Sequence, residues 1–228
     1  MTPALARLPV LQLTRSPRAW VPVIAWSLLG LGFALAARSD GAPNGADHVL
    51  VSAFGALVVP LLAYAIVGGV LGGRSLGGST APVVALGASP GRAAMVSVGV
   101  ALGASALLAA ILGAAVAAVA HGVDDPPLAR DAAVSAYASA LGGCAYAALF
   151  TMGASFGKRG GGRTLLLVAD WLLGAGQSVV ATLTPRGHLR NLLGGAAPAH
   201  MSERASAVVL VALALVFVLV ATSRARRG

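Results

Sequence analysis

Charge is what this chain has least of. Only 10% of its 228 residues are Asp, Glu, Lys or Arg, against about 25% in a soluble domain. So few ionic groups cannot keep a whole surface in water, which excludes a soluble globular protein and leaves lipid as the solvent. Acids are scarcer than bases, seven against sixteen, for a formal net charge of +9. In a chain of mean hydropathy +0.86, that excess reads as bases that set topology, and no nucleic-acid partner is expected. Cysteine is nearly missing: Cys144 stands alone, so no internal disulfide can form. There is no long-period repeat, and no low-complexity tract beyond a general richness in Ala, Gly and Val. The opening MTPALARLPVLQLTRSPR has too short an apolar run for a secretory signal peptide.

Catalytic equipment is missing as well. No G-x-x-x-x-G-K-[ST] phosphate loop occurs; the nearest string, GASFGKRG, lacks the hydroxyl after Lys158 and has the wrong spacing. Any ATP, with its Mg, must therefore be bound and split by another polypeptide, and no cofactor is expected here. Gly153-Ala-Ser-Phe-Gly157 matches the G-x-S-x-G of serine hydrolases. However, Ser155 ends one apolar segment on one side of the membrane, while His48, His121, His188 and His200 all fall on the other. A nucleophile and its base must approach to about 3 Å, so no enzyme is expected. No two of these histidines stand three or four residues apart and no cysteine joins them. They read as solvated loop residues, and no metal site is expected.

What the chain has in quantity is apolar segments. About 20 residues of helix cross the ~30 Å hydrocarbon core, within a range of roughly 17 to 25. Six segments qualify, at about residues 20–37, 49–73, 93–120, 132–156, 164–183 and 205–222. The sequence thus predicts one all-α integral membrane domain over 1–228, with a kink at Pro60 in the second span. With the N-terminus in the cytosol, the inner side holds Arg7, Arg15, Arg18, Arg74, Arg92, Lys158, Arg159, Arg163, Arg224, Arg226 and Arg227 and no acid. The outer side holds Arg38, Arg130, Arg186, Arg190 and Arg204 against Asp40, Asp47, Asp124, Asp125, Asp131 and Glu203. The positive-inside rule then places both termini in the cytosol. Before the first span, leucines alternating with Arg7, Gln12 and Arg15 predict a short amphipathic helix on the inner leaflet, within residues 1–19. Glycines four apart, such as Gly68 and Gly72 or Gly99 and Gly103, predict close helix packing in one bundle.

Three stretches carry candidate function. RSLGGSTAPVVALGASPGR, residues 74–92, is interrupted by Pro82, Pro90 and glycines and holds no acid. It cannot cross a bilayer, yet VVALGA is too apolar for a solvated tether, so something should pack against it. In the outer connection, HLRNLLGG predicts a short helix stopped by Gly194 and Gly195 that dips back into the membrane edge. The fifth span carries Asp170, the one acid inside a span. Counted in helical steps, it shares a face with Arg163, Leu166, Leu167, Gly174, Gln177 and Ser178. A carboxylate there costs at least ~2.5 kcal/mol, so it should face protein or water. Two readings stay open: a substrate or ion path through Asp170, Gln177 and Ser178, or a structural hydrogen bond to a neighbouring helix.

The order of these parts resembles the membrane (permease) subunits of ABC-2, type V exporter-like, ABC transporters over nearly the whole chain. LTRSPRAW leads from a basic amphipathic start into span one. PVVALGASPGRAAMVSV resembles the family's segment of leucines, proline and a basic residue entering span three. LTPRGHLRNLLGG takes the place of the membrane-dipping stretch before the last span. The chain departs after span two, where the family commonly has an Arg-Glu pair; here Arg74 is followed by Ser75, Leu76 and Gly77. The resemblance implies a coupling helix in residues 74–92, with Arg74, Pro82, Val84, Leu86, Ser89, Pro90 and Arg92 meeting a separate ATPase. It also implies a path lined by spans two and five, which adds Pro60 and Tyr64 to the candidates. Two ATPase subunits and a second permease subunit, identical or related, would complete the machine. The alternative is an autonomous secondary transporter or channel using Asp170. Long Ala, Leu and Val faces with one acid suit an amphiphilic, cationic substrate. The Ala and Arg bias suits a high-GC bacterium and its cytoplasmic membrane.

Overall fold

The structure, a computed structural model, describes residues 2–40, 45–122, 125–157 and 160–227. Lys158 and Arg159, assigned to the inner side, and Asp124, assigned to the outer, lie outside the described residues. The described chain is helical throughout, with nine principal helices: α1 (Thr2–Thr14), α2 (Pro17–Asp40), α3 (Gly45–Val70), α4 (Leu76–Ala85), α5 (Pro90–Ala120), α6 (Leu128–Ala154), α7 (Gly162–Leu173), α8 (Pro185–Leu192) and α9 (Glu203–Arg227). Short 3₁₀ turns at Val179–Leu183 and Pro198–His200 flank α8.

Five helices, α2, α3, α5, α6 and α9, are long and apolar enough to cross a membrane. Burial sorts them into two classes. The most apolar windows of α3 and α6 are 67% and 61% buried, against 22% to 33% for α2, α5 and α9. Apolar helices buried by protein form a core, and those left open must meet lipid or another chain. So α3 and α6 form the centre and the other three surround them. The fully buried Phe54, Leu62, Ile66, Tyr146 and Phe150 all come from the central pair. Small residues set how closely the helices pack: a Cβ on Gly143 of α6 would stand 2.6 Å from the Ser105 carbonyl of α5.

The sixth expected span is different. Residues 164–183 are not one helix. α7 ends at Leu173, and residues 174–178 turn before the 3₁₀ segment begins. Twelve residues reach about 18 Å, short of the ~30 Å core. The break lies at Gly174 and Gly176, which favour it. Its carbonyls have another donor: the Arg190 guanidinium gives Nη1 to Ala175 O and Nη2 to Gly176 O at 2.7 Å, while Nε reaches Ala196 O at 2.9 Å. One side chain thus replaces the backbone bonds a continuous helix would have made.

α8 is the short helix expected before the last span. Thr184 caps it, accepting from Gly187 N at 3.4 Å. Gly194, at φ +88°, ends it in a conformation that L side chains resist. Leu189 projects between Gly55 of α3 and Gly142 of α6, each near the middle of its helix. α8 is therefore seated at mid-height in the bundle. Asn191 Nδ2 then ties it to α9 through Ser206 Oγ at 2.8 Å and to Met201 O at 3.1 Å.

Candidate functional site

The stretch 74–92 holds a helix in its middle. Ser75 Oγ accepts from Gly78 N at 3.2 Å and starts α4 as an N-cap. Leu76, Ser79 and Thr80 are buried, and α4 packs on α5 and touches α9. The following turn is open. Arg74, Pro82, Ser89, Pro90 and Arg92 are exposed, Val84 is half-buried, and Leu86 is 87% exposed. So exposed a leucine ends α4 on an apolar point, with Arg74 just before the helix and Arg92 in the first turn of α5. Arg226 of α9 packs against Gly91, and Arg224 lies over the Phe156 ring at 4.3 Å, which brings the C-terminal bases to this same end.

Asp170 is 3% exposed, with both carboxylate oxygens engaged. Tyr146 of α6 donates its hydroxyl to Oδ2 at 2.7 Å, and the Arg186 backbone N–H donates to Oδ1 at 3.2 Å. Arg186 lies in the first turn of α8, so the positive end of that helix dipole faces the carboxylate. The Arg186 guanidinium turns to Trp171 O at 2.9 Å. These bonds join α6, α7 and α8 at one point, the geometry that the structural reading of Asp170 requires. Gln177 and Ser178 do not share its face. They lie past the end of α7 and are exposed, because the helical periodicity that aligned them stops at Leu173.

α3 bonds to α7 on either side of Pro60, through Ala56 and Tyr64. α3 widens into a π-helical stretch over Leu50–Val58, directly before Pro60. Val59 N–H still bonds five residues back, to Phe54 O, and where the α register resumes Pro60 has no N–H for the carbonyl four residues back, that of Ala56. The Trp171 indole of α7 supplies the missing donor, Nε1 to Ala56 O at 3.1 Å. One turn further, Tyr64 OH bonds Thr164 Oγ1 at 2.8 Å, and its ring meets Phe150 edge-on at 5.4 Å. Sequence reasoning missed Trp171, Tyr146 and Arg190. Only the first left a signal, since a mid-span proline announces an orphaned carbonyl.

Three donors gather where α5 ends and α6 begins. His121, Asp125 and Asp131 place ligand atoms within 4.8 Å of one another, with His121 Nδ1 at 4.0 Å from Asp125 Oδ2 and 3.9 Å from Asp131 Oδ2. His121 was expected to be a solvated loop residue, but it lies against two carboxylates. One imidazole and two carboxylates are a set that a divalent cation with added water can accept. Asp125 Oδ2 also accepts from Gly122 N at 2.8 Å. His188 is committed elsewhere, Nε2 to Thr182 O at 2.8 Å, and Ser155 Oγ donates to Met152 O of its own helix at 2.6 Å. A Ser–His pair is thus not among the bonds these residues make.

Compared with known proteins, the chain matches no family model, and no curated protein is similar to it at a significant level.

Proposed function

We propose that the chain is the membrane-spanning subunit of an ATP-driven transporter, an exporter, coupled through α4 to a separate ATPase. The observation that carries this is the α4 surface. A short helix packs on α5 and α9, and the turn that follows it presents Leu86 to the surface, with Arg74 before the helix and Arg92 in the first turn of α5. A large apolar side chain left exposed on a basic segment suits an interface. A helix so fastened moves the bundle when it is pushed. In this reading both termini and α4 are cytosolic, in a bacterial inner membrane. A second six-segment subunit faces this one, and two ATPases close on ATP to switch the pair between inward and outward states.

An autonomous carrier working through Asp170 is the weaker reading, because both oxygens of that carboxylate are spent on bonds inside the protein. The test is to express the chain with the ATPases of its host and purify it in mild detergent. Leu86→Asp should release a co-purifying ATPase while the bundle keeps its thermal stability. A cysteine placed at Leu86 that is labelled by a membrane-impermeant reagent from outside the cell would sink the reading, since α4 would then face the wrong side.

A further inference from the structure

Where α1 turns into α2, beside the last turns of α3 and the first turn of α7, the bundle forms an open-sided cavity of about 430 Å³. Arg163 lines it. This residue is 8% exposed, and its Nη1 has no hydrogen-bond partner among the described residues. Its Nε donates to Gly160 O at 3.3 Å, and the guanidinium stands 5.5 Å from the centre of the Tyr64 ring. A buried cation with an unmet donor is costly unless something brings it an opposite charge. Among the described residues no acid lines the cavity, while a second base, exposed Arg18, stands at its rim beside Ser16. Two helix ends meet here with opposed dipoles, the start of α2 and the end of α3, so the guanidiniums decide the sign. That sign calls for an anion.

The rest of the wall is apolar: Pro22, Trp26, Leu61 and Ala65. The volume lies within the range of small-molecule sites and is several times that of an inorganic phosphate. The occupant should therefore have an anionic end and a carbon body. Guanidinium favours phosphate for its fork of donors.

We propose that this cavity binds the phosphate-ester head of an anionic amphiphile, with Arg163 pairing the phosphate, Arg18 closing from the rim, and Trp26 and Leu61 covering the adjoining carbons. The site has the opposite sign to the one suited to the cationic substrate expected from Asp170. It stands whether or not an ATPase drives the protein.

Thermal unfolding of the full chain in detergent, titrated separately with phosphatidylglycerol, phosphatidylcholine and inorganic phosphate, tests it. Phosphatidylglycerol should raise the midpoint well beyond phosphatidylcholine, and native mass spectrometry should retain one phospholipid. Arg18→Gln, at an exposed position, should raise the half-saturating phosphatidylglycerol concentration about tenfold, the loss of one charge-assisted contact. Arg163→Gln should abolish the response. Should that variant fail to fold, Gly68→Ala replaces it: its methyl would stand 3.3 Å from Nη1. On a helix the change should leave the lipid-free midpoint unchanged or raise it, while weakening the lipid response. Equal midpoints with phosphatidylglycerol and phosphatidylcholine would overturn the proposal, as would an undiminished response in both Arg18→Gln and Gly68→Ala. A full shift from inorganic phosphate alone would support the anion site and make free phosphate its occupant.

Discussion

The bond from Trp171 to Ala56 can be isolated, because its cause lies in a third residue. Trp171→Phe removes the indole N–H and leaves the Ala56 carbonyl without the donor that reaches it at 3.1 Å. A buried unsatisfied group costs about 1–3 kcal/mol, but side-chain bonds in membrane bundles average about 0.6 and reach about 1.7 kcal/mol. Ala56 is half-buried near the middle of a central helix, so the upper half of the membrane range applies, about 1–1.7 kcal/mol. The smaller ring also loses packing, so the single variant cannot separate the two losses. Pro60→Ala can, because alanine restores the N–H that an α-helical turn would offer to Ala56. In that background the bond loss should vanish while the packing loss remains. The double-mutant cycle should therefore show a coupling of about 1 kcal/mol. The assay is reversible unfolding by SDS in mixed micelles, followed by far-UV circular dichroism because tryptophan fluorescence is itself altered. Coupling below about 0.3 kcal/mol, the scatter of independent sites, would refute the account of Pro60 and Trp171.

Two further perturbations address the joint and the socket. Tyr146→Phe leaves Asp170 Oδ2 without its 2.7 Å donor and should destabilise the bundle by about 1–3 kcal/mol. Asp170→Asn added to it should recover part of that loss, since a neutral amide is less costly to bury; an unaffected Tyr146→Phe protein would return Asp170 to the transport path. Gly142→Leu brings a side chain to where a Cβ alone would lie 2.7 Å from both Leu189 methyls. It should expel α8, costing 1–3 kcal/mol as overpacking does, and expose Arg186 and Arg190 to trypsin. Leu189→Ala should partly restore resistance, and unchanged digestion of Gly142→Leu would dismiss the socket.

Much of the architecture was legible in the order of residues, for reasons that vary by element. The five long helices announced themselves because a lipid-facing helix must be apolar over some 20 residues, and α2, α5 and α9 are. α8 was legible from its punctuation, Thr184 before it, Pro185 at its first position and Gly194 after. α7 misled, since residues 164–183 have the composition of a span but not its continuity. The break depends on Arg190, sixteen residues beyond Gly174, reaching back to carbonyls that no local pattern marks as needing a donor. Helical counting accordingly placed Gln177 and Ser178 beside Asp170, where no helix exists to align them. The His121 group was hidden for a similar reason. Its members belong to the end of one helix, a turn and the start of the next, so spacing rules for a single helix do not find them.

α5 runs 31 residues without a break, about 46 Å of rigid rod at 1.5 Å per residue, and so outreaches the ~30 Å hydrocarbon layer. α4 is anchored at one of its ends and the His121–Asp125–Asp131 corner is folded onto the other. A stiff shaft does not absorb a shove; it delivers it. Any tilt imposed at the α4 end must swing the far corner the opposite way about whatever fulcrum the bundle provides, and the close seam between Gly143 and Ser105 obliges α6 to travel with it.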